Sequence, residues 1–429
     1  MRTCLPAKRV SKGLCALFSF YKHKHCFTKN RYLTYIKIVL RYIPTEKLLF
    51  LFRKKPNVMT TIPYIIADNK IPYLKGVLEP YARIDYLSPD RIDAQAVRDA
   101  DILLIRTRTK CNRELLDQSR CRYIATATIG YDHIDARYCR ERGIEWVNCP
   151  GCNAPSVGQY ILAALLAWSK SRHKPLHECT LGVVGVGHVG SIVARYAGLL
   201  GMRVLLNDPP REEAEGGDSF TSLDTLCREA DIITFHTPLT REGKYPTFHL
   251  ADNDFFDALE KSPLILNTAR GEIVATKALK AALAQKKIAG VVLDCWENEP
   301  HIDRELLKKA FIATPHIAGY SADGKSTATR MVVEAVSRWT GIAIPTQAIV
   351  PPAPAQPLID LTGVDTPLQK AVWDTYNPFD DDLRLRKSPE TFEMQRGLYP
   401  LRREFGAYRI TGGKAADLPV LIKLGFCIA

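Results

Sequence analysis

Three residues of this sequence carry side chains that together could oxidise a hydroxy acid: Arg270, Glu299 and His316. An imidazole titrates near neutral pH, so His316 is suited to accept the proton of a hydroxyl group. Glu299 could bind the other ring nitrogen and stabilise the imidazolium, and Arg270 could bind a carboxylate through its planar guanidinium. Each residue alone is more often structural or solvated, but their positions after successive apolar runs predict one site. Three other histidines lack such neighbours in the sequence pattern and are expected to be structural: His133, His236 and His249.

A glycine-rich turn precedes these residues and could bind the cofactor of such a reaction. The apolar run LGVV leads into Gly185, Gly187 and Gly190, and a helical pattern follows. Glycine permits the sharp turn and the close approach of a pyrophosphate, which the helix N-terminus attracts. Asp208, at the end of the next apolar run, is placed to accept hydrogen bonds from ribose hydroxyls, which favours NAD over NADP. Arg211 is the opposing sign, because its charge could suit a ribose phosphate.

Alternating strand and helix patterns lie on both sides of this turn. Residues 62–148 hold five short apolar runs separated by helical patterns, and the arrangement repeats after the turn. Strands that alternate with helices form parallel sheets covered by helices. The predicted fold is therefore α/β, with two doubly wound parallel-sheet domains, one Rossmann-like and one flavodoxin-like, and a small α+β domain at the carboxy terminus.

Two long helices are expected to connect these parts, one over residues 153–170 capped by Asn153 and one over residues 322–340. A proline-rich linker precedes the last domain. The expected domains are a basic, disordered extension (1–58), a substrate domain (59–152 with 320–345), an NAD-binding domain (153–319) and a dimerisation domain (346–429).

The charge of the chain is concentrated at its amino terminus. The formal net charge is +13, and residues 1–58 contain fourteen Lys or Arg against one acid, so the remainder is neutral in sum. No nucleic-acid or membrane partner is therefore expected, and Met59 is a candidate for the true start. The 12 cysteines show no secreted-scaffold spacing, which favours the cytoplasm. The pair Cys149 and Cys152 is interpreted as a coincidence.

Several motifs resemble those of a known family. The segments GVGHVG, NTARG, ENEP and PHIAGY resemble the D-isomer-specific 2-hydroxyacid dehydrogenases. More narrowly, PGCNA, DPPR, FHTPL and the carboxy-terminal stretch through LIKLGF are similar to the branch that oxidises 4-phospho-D-erythronate with NAD in vitamin B6 synthesis. The resemblance implies a homodimer with no metal. It also implies roles for individual residues: catalysis for Arg270, Glu299 and His316, substrate contacts for Thr107, Thr128 and Tyr320, and NAD contacts for Asp208, Thr237, Asp294 and Gly319.

Two other functions stay open. The chain could be another dehydrogenase of the family, acting on phosphoglycerate, glycerate or hydroxypyruvate, or it could be a dinucleotide-sensing scaffold. A phosphorylated substrate would need further cations, and Arg106, Arg108 and Lys110 are clustered after one predicted strand. We expect this group to hold the phosphate, helped by Arg402 or Arg403 of a partner subunit.

Overall fold

The computed structural model describes residues 62–217 and 219–429, so the predicted extension and the predicted start at Met59 lie outside it. Its first sheet contains five strands: Tyr64–Asp68 (β1), Arg83–Leu87 (β2), Ile102–Ile105 (β3), Tyr123–Thr126 (β4) and Glu145–Val147 (β5). All pair in parallel in the order β2-β1-β3-β4-β5. Separate apolar clusters cover its two faces, so β3 and β4 are buried throughout.

The second sheet contains six strands: Thr180–Val184 (β6), Arg203–Asn207 (β7), Ile232–Phe235 (β8), Leu264–Asn267 (β9), Gly290–Leu293 (β10) and Ile312–Ala313 (β11). They pair in parallel in the order β11-β10-β9-β8-β6-β7. The chain reverses its direction across the sheet at β6, which lies between β7 and β8. In an open parallel sheet, the crevice at the carboxyl ends of the strands beside such a reversal is where ligands bind.

The carboxy-terminal part has a sheet of its own. Its three short strands are Leu358–Asp360 (β12), Arg409–Thr411 (β13) and Cys427–Ile428 (β14), paired in parallel in that order. Helices lie between the strands along the chain. The predicted class, two doubly wound parallel sheets and a small carboxy-terminal domain, is confirmed, whereas the exact domain boundaries stay a prediction.

The α-helices of the described residues are Arg113–Leu116 (α1), Ala136–Arg142 (α2), Ala154–Arg172 (α3), His188–Leu199 (α4), Pro209–Glu215 (α5), Leu223–Glu229 (α6), Asn253–Asp257 (α7), Thr276–Ala284 (α8), Arg304–Lys309 (α9), Ala322–Thr340 (α10), Pro367–Thr375 (α11), Pro378–Lys387 (α12), Phe392–Gly397 (α13) and Leu418–Leu424 (α14). Within these residues, none of the helices combines the length and apolarity that crossing a membrane requires.

Helix α3 is the structural link between the second sheet and the carboxy-terminal part. It is buried along most of its length, and one continuous apolar cluster joins it to both. Pro155 lies in its first turn, as the sequence suggests, but the predicted cap is wrong because Asn153 makes no capping hydrogen bond. The Oδ1 atom of Asn153 is buried and has no partner within the described residues.

Helix α10 returns the chain to the first sheet. The side chain of Ser321 caps it by accepting from the Gly324 amide, and Gly341 ends it in the left-handed conformation with φ of +76°. Val332 and Val336 pack into the apolar cluster on one face of the first sheet. The loop that carries the candidate catalytic histidine enters directly into this helix.

Candidate active site

The loop after β6 forms a cradle with room for a phosphate. Gly185 has φ of +85°, and a Cβ on it would lie 2.8 Å from the amide nitrogen of Thr237. A Cβ on Gly190 would lie 2.0 Å from the carbonyl oxygen of Gly185, so only glycine lets α4 approach the strand this closely. Around Gly187 no described atom lies within 4 Å of such a position. The loop therefore leaves open space at the N-terminus of α4, where free amides favour an anion.

The carboxylate of Asp208 faces this loop. Its Oδ2 accepts a hydrogen bond from the Val186 amide at 2.8 Å, and its Oδ1 accepts from the Arg211 amide at 3.2 Å. The guanidinium of Arg211 donates to the Val186 carbonyl and is balanced by Glu215, at 2.7 and 2.8 Å. A carboxylate has further lone pairs, so Asp208 can still accept from ribose hydroxyls. Because Glu215 neutralises Arg211, the charge of Arg211 is only a weak argument for NADP.

Two hydroxyl groups beyond the carboxyl ends of β8 and β9 indicate a ligand site. Thr237 Oγ1 and Thr268 Oγ1 are buried and have no hydrogen-bond partner within residues 62–217 and 219–429. Buried polar atoms in proteins almost always have partners, so unpaired hydroxyls at a strand-end crevice indicate a polar ligand. The amides of the glycine loop, the Asp208 carboxylate and these two hydroxyls fit a dinucleotide.

The predicted base and its carboxylate are directly bonded. His316 Nδ1 lies 2.8 Å from Glu299 Oε2, and the other carboxylate oxygen accepts from the Trp296 amide at 2.8 Å. Burial alone would raise the pKa of Glu299, but the adjacent His316 and the Trp296 amide bring it below its ordinary value. Glu299 is therefore ionised at neutral pH. The Nε2 atom of His316 remains available for a substrate.

Asp294 holds the histidine loop in place. Its backbone carbonyl accepts from the His316 amide at 2.8 Å, and its carboxylate accepts from Thr314 Oγ1 and from the amides of Ile317 and Ala318 at 2.6 to 2.9 Å. These bonds maintain the left-handed backbone of His316, with φ of +54°, which is unfavourable for a residue with a side chain. Burial raises the pKa of Asp294. The implied contact of Asp294 with NAD stays a prediction.

Arg270 reaches from the second sheet to a loop of the first. The carbonyl of Arg270 is held by Asn267 Nδ2 at 2.8 Å, and its Nη1 donates to the Ala269 carbonyl at 2.8 Å. Its Nη2 lies 3.7 Å from Asp132 Oδ2. A Cβ on Gly130 would lie 2.4 Å from the same nitrogen, so the guanidinium packs directly on the loop after β4. A carboxylate bound by Arg270 would thus contact both sheets.

The residues implied to bind substrate lie around this contact. Thr107 is exposed after β3, and Thr128 follows the adjacent strand β4. Tyr320 is half-buried in the histidine loop. Gly319 permits the close packing of that loop, because a Cβ on it would lie 2.0 Å from Asn153 Nδ2. The structure brings these residues to the edges of the crevice, and their individual roles stay predictions.

A buried thiol lies at the centre of the site. Donor atoms of Cys295, Glu299 and His316 lie within 4.8 Å of one another, a group that could hold a metal ion. Burial raises the pKa of the Cys295 thiol well above its ordinary value, while Arg270 and Arg396 oppose this rise. Both guanidiniums therefore lie near the base and its carboxylate. That no metal takes part stays a prediction.

Two sequence-based expectations about phosphate binding are wrong. Arg402 is not available to a partner subunit, because it is 4% exposed and donates to Ser156, Ala318 and Gln159 of its own chain. Arg403 is ion-paired with Asp323 at 2.9 Å.

The expectation that His249 is structural stays a prediction, but this histidine does not lack an acidic neighbour. Its Nε2 lies 2.7 Å from Glu297 Oε1. Arg396 also lies at the site, where the carboxy-terminal part brings it, and no sequence motif marks it.

Comparison with known proteins identifies the class to which this fold and site belong. Residues 163–318 match the family described as D-isomer specific 2-hydroxyacid dehydrogenase, NAD binding domain, and residues 352–425 match a domain of unknown function (DUF3410). The D-lactate dehydrogenase of Aquifex aeolicus, solved with NAD and lactic acid, is 26% identical with a TM-score of 0.54, covering 65% of this chain and 95% of that chain. The 3-phosphoglycerate dehydrogenase of Entamoeba histolytica has a TM-score of 0.56 at 21% identity, covering 66% of this chain and 96% of that chain, which is a likeness of fold. The fold and the site define an NAD-dependent dehydrogenase of the D-isomer specific 2-hydroxyacid class.

Similar sequences narrow the class. Proteins named erythronate-4-phosphate dehydrogenase are 53% identical in Bacteroides thetaiotaomicron, over 82% of this chain and 99% of theirs, and 42% identical in Porphyromonas gingivalis, over 84% and 99%. The Escherichia coli protein of that name, from strain UTI89, is 38% identical over 84% of this chain and 97% of its own. This chain belongs to the erythronate-4-phosphate dehydrogenase family.

Proposed function

We propose that this chain oxidises the C2 hydroxyl of 4-phospho-D-erythronate with NAD, giving (R)-3-hydroxy-2-oxo-4-phosphobutanoate on the route to pyridoxal 5'-phosphate. The observation that carries the proposal is the bond of 2.8 Å between His316 and Glu299, at the edge of a crevice that also holds Arg270 and the glycine cradle. The names of relatives that are 38 to 53% identical support the substrate.

His316 is the base in this proposal. Because its Nδ1–H is donated to Glu299, its Nε2 carries the free lone pair and accepts the proton of the C2 hydroxyl. Bound NAD supplies the acceptor for the hydride that leaves C2. Glu299 stays anionic at neutral pH because its pKa is lowered, so it stabilises the imidazolium as the proton arrives.

Arg270 binds the substrate carboxylate and polarises the C2 oxygen. Its guanidinium packs on Gly130, in the loop that follows Thr128, so the carboxylate would be held where the two sheets meet. Binding across two sheets orients C2 toward the cradle and removes water from the reacting atoms.

NADH formation with 4-phospho-D-erythronate, 3-phosphoglycerate and D-glycerate tests the substrate. We expect the highest kcat/KM with 4-phospho-D-erythronate. A higher value with 3-phosphoglycerate or D-glycerate would assign the chain to another dehydrogenase of the class. If none of the three reduces NAD although NAD binds in a fluorescence titration, the scaffold alternative replaces the enzyme.

We also propose a homodimer formed through residues 346–429. Nine of the twelve large apolar side chains exposed in the described residues lie in this part, which is a concentration typical of an interface. Among them Leu383 is 67% exposed and Leu398 is 77% exposed. Light scattering of the wild type should give twice the chain mass. Leu383→Glu with Leu398→Glu should give a folded monomer, and a monomeric wild type would contradict the proposal.

A cytoplasmic location agrees with the state of the thiols. The nine cysteines of the described residues are free, and Cys149 and Cys152 are both buried. Burial raises the pKa of the Cys152 thiol to about 12, which makes it unreactive. Fractionation of cells, with the activity recovered beside a cytoplasmic marker, is the measurement that checks the location.

A further inference from the structure

Four cations form a group near the loop that carries the candidate base, and the proposed proton transfer uses none of them. Lys325, in the first turns of α10, holds its Nζ 5.2 Å from the ring centroid of Tyr320. The guanidinium carbon of Arg396, from α13, lies 5.8 Å from the centroid of the same ring. The other two members follow β3 in the sequence: Arg106 and Arg108. Tyr320 lies in the histidine loop and Arg396 lowers the pKa of Glu299, so this cationic group adjoins the reacting centre.

One hydrogen-bond donor of Arg396 has no partner in the described residues. Its Nη1 is paired with Glu393 Oε1 at 2.6 Å, while its buried Nε has no partner within the part of the chain that the structure describes. Glu393 also pairs with Arg108 at 3.5 Å, so two guanidiniums share one carboxylate. The side chain of Arg396 is only 22% exposed. A guanidinium held this far from water with an unused N–H indicates a ligand.

Lys325 lacks an anion altogether among residues 62–217 and 219–429, where its Nζ makes no ion pair and no hydrogen bond. Burial lowers the pKa of Lys325, and the charges of Arg106 and Arg402 lower it further. In the part of the chain that the structure describes, Arg106 donates only to the Lys70 carbonyl, at 3.3 Å. Like charges gathered in a partly buried place are costly unless an anion joins them.

The cationic group and the carboxylates around it leave a surplus of positive charge. The carboxylates near the group are Glu393, Asp68 and Glu299. Arg106 and Arg108 oppose the rise that burial causes in the pKa of Asp68, and Glu299 raises the pKa of Arg396. Four cations thus face three carboxylates, and one of these, Glu299, is also bonded to His316. A phosphate monoester carries a charge of about −1.5 to −2 at neutral pH, so it would offset the positive charge that remains.

We propose that Arg396 and Lys325, assisted by Arg106, bind the phosphate of the substrate, so that the carboxy-terminal domain supplies a specificity-determining residue to the active site of its own chain. The inference deepens the proposed function and rests on it. In 4-phospho-D-erythronate a single carbon separates the reacting C2 from the phosphate-bearing C4. This spacing suits a phosphate site beside Tyr320 when His316 is at C2.

The test compares kcat/KM for 4-phospho-D-erythronate with kcat/KM for D-erythronate, which lacks the phosphate. We expect Arg396→Gln and Lys325→Met each to reduce this preference by about 10- to 100-fold, since a charge-assisted hydrogen bond is lost. Arg396→Lys should recover part of it. Two exposed cations serve as controls and should keep the preference: Arg409→Gln on β13 of the carboxy-terminal domain and Arg338→Gln on α10, the helix of Lys325.

Other outcomes overturn the inference. Equal losses with both substrates would mean that Arg396 acts by positioning Glu299, whose pKa it helps to lower. An unaltered preference would place the phosphate elsewhere. If the wild type does not oxidise 4-phospho-D-erythronate, the proposed function fails. The phosphate site is then tested by calorimetry with inorganic phosphate, where equal affinity of the wild type and Arg396→Gln would reject it and weaker binding by the variant would support it.

Discussion

Two histidine–glutamate pairs have almost the same geometry, and both glutamates lie in the loop after β10. His316 and Glu299 are separated by 2.8 Å, and His249 and Glu297 by 2.7 Å. Both histidines have a left-handed backbone, with φ of +54° and +52°. Their side chains are similarly exposed, at 29% and 37%. The bonded pair by itself therefore does not identify the base.

The surroundings separate the two pairs. The ring of His249 stacks on Phe248 with centroids 3.9 Å apart, and the second oxygen of Glu297 accepts from the Thr276 amide, at the start of α8, at 2.7 Å. That pair joins three segments of one domain. The pair of His316 instead lies with Arg270 and the glycine cradle, where a carboxylate and a dinucleotide could be bound together. Substrate-binding groups, rather than the strength of the pair, make a histidine a base.

Replacing each histidine gives the largest expected difference between the pairs. His316→Asn should lower kcat by about 10²- to 10⁴-fold, because the proton of the C2 hydroxyl loses its acceptor. His249→Asn should keep kcat within about threefold of the wild type, since asparagine can still donate to Glu297. NADH formation at saturating substrate measures both, and NAD titration shows that the cradle is intact. Similar losses of kcat in both variants would mean that His249 is also needed for turnover and that the two pairs do not differ in function.

Replacing the two glutamates should produce a smaller difference in kcat than replacing the two histidines. Glu299→Gln keeps an oxygen for the Trp296 amide but removes the charge beside the imidazolium, so kcat should fall by about 10- to 100-fold. Glu297→Gln keeps an oxygen for the Thr276 amide and should change kcat by less than about twofold. NADH formation at saturating substrate measures both changes in kcat. A Glu299→Gln enzyme with wild-type kcat would show that Glu299 only orients the ring.

Sequence patterns anticipated the parts of this site that depend on local structure. Gly185 and Gly190 have roles that follow from backbone geometry, and the strand-end placement of Arg270 and His316 follows from the alternation of strands and helices. Helix α12 was not predicted, because its charged stretch carries little apolar periodicity. The pairing of a glutamate with a distant histidine depends on the order of strands in the sheet, which one sequence does not encode locally.

The roles of charged residues in the carboxy-terminal part are even harder to predict from sequence. Arg402 and Arg396 have the same side chain and lie six residues apart, yet one is fully occupied by carbonyl and amide oxygens and the other has a buried N–H without a partner in the described residues. Which arginine binds a ligand depends on how this part packs against α3 and the histidine loop. Such long-range packing leaves no periodic signal in the sequence.

The smallest expected effect concerns stability and should not separate the pairs. Burial would raise the pKa of Glu297, but the bonds from Thr276 and His249 bring it below its ordinary value. A carboxylate with a lower pKa in the folded than in the unfolded state stabilises the fold above its unfolded pKa of about 4.3, and this contribution is lost as the pH falls through the folded value. Glu297→Gln should therefore be less stable than the wild type by about 1 kcal/mol at neutral pH, with the gap closing in acid.

Urea unfolding at a series of pH values measures this gap. Glu299→Gln should behave in the same direction, because the pKa of Glu299 is also lowered. A gap that widens in acid for either variant would contradict the assigned direction. If both gaps close while only Glu299→Gln loses turnover, then the two pairs stabilise the fold alike, and the difference between them lies in the groups that surround His316.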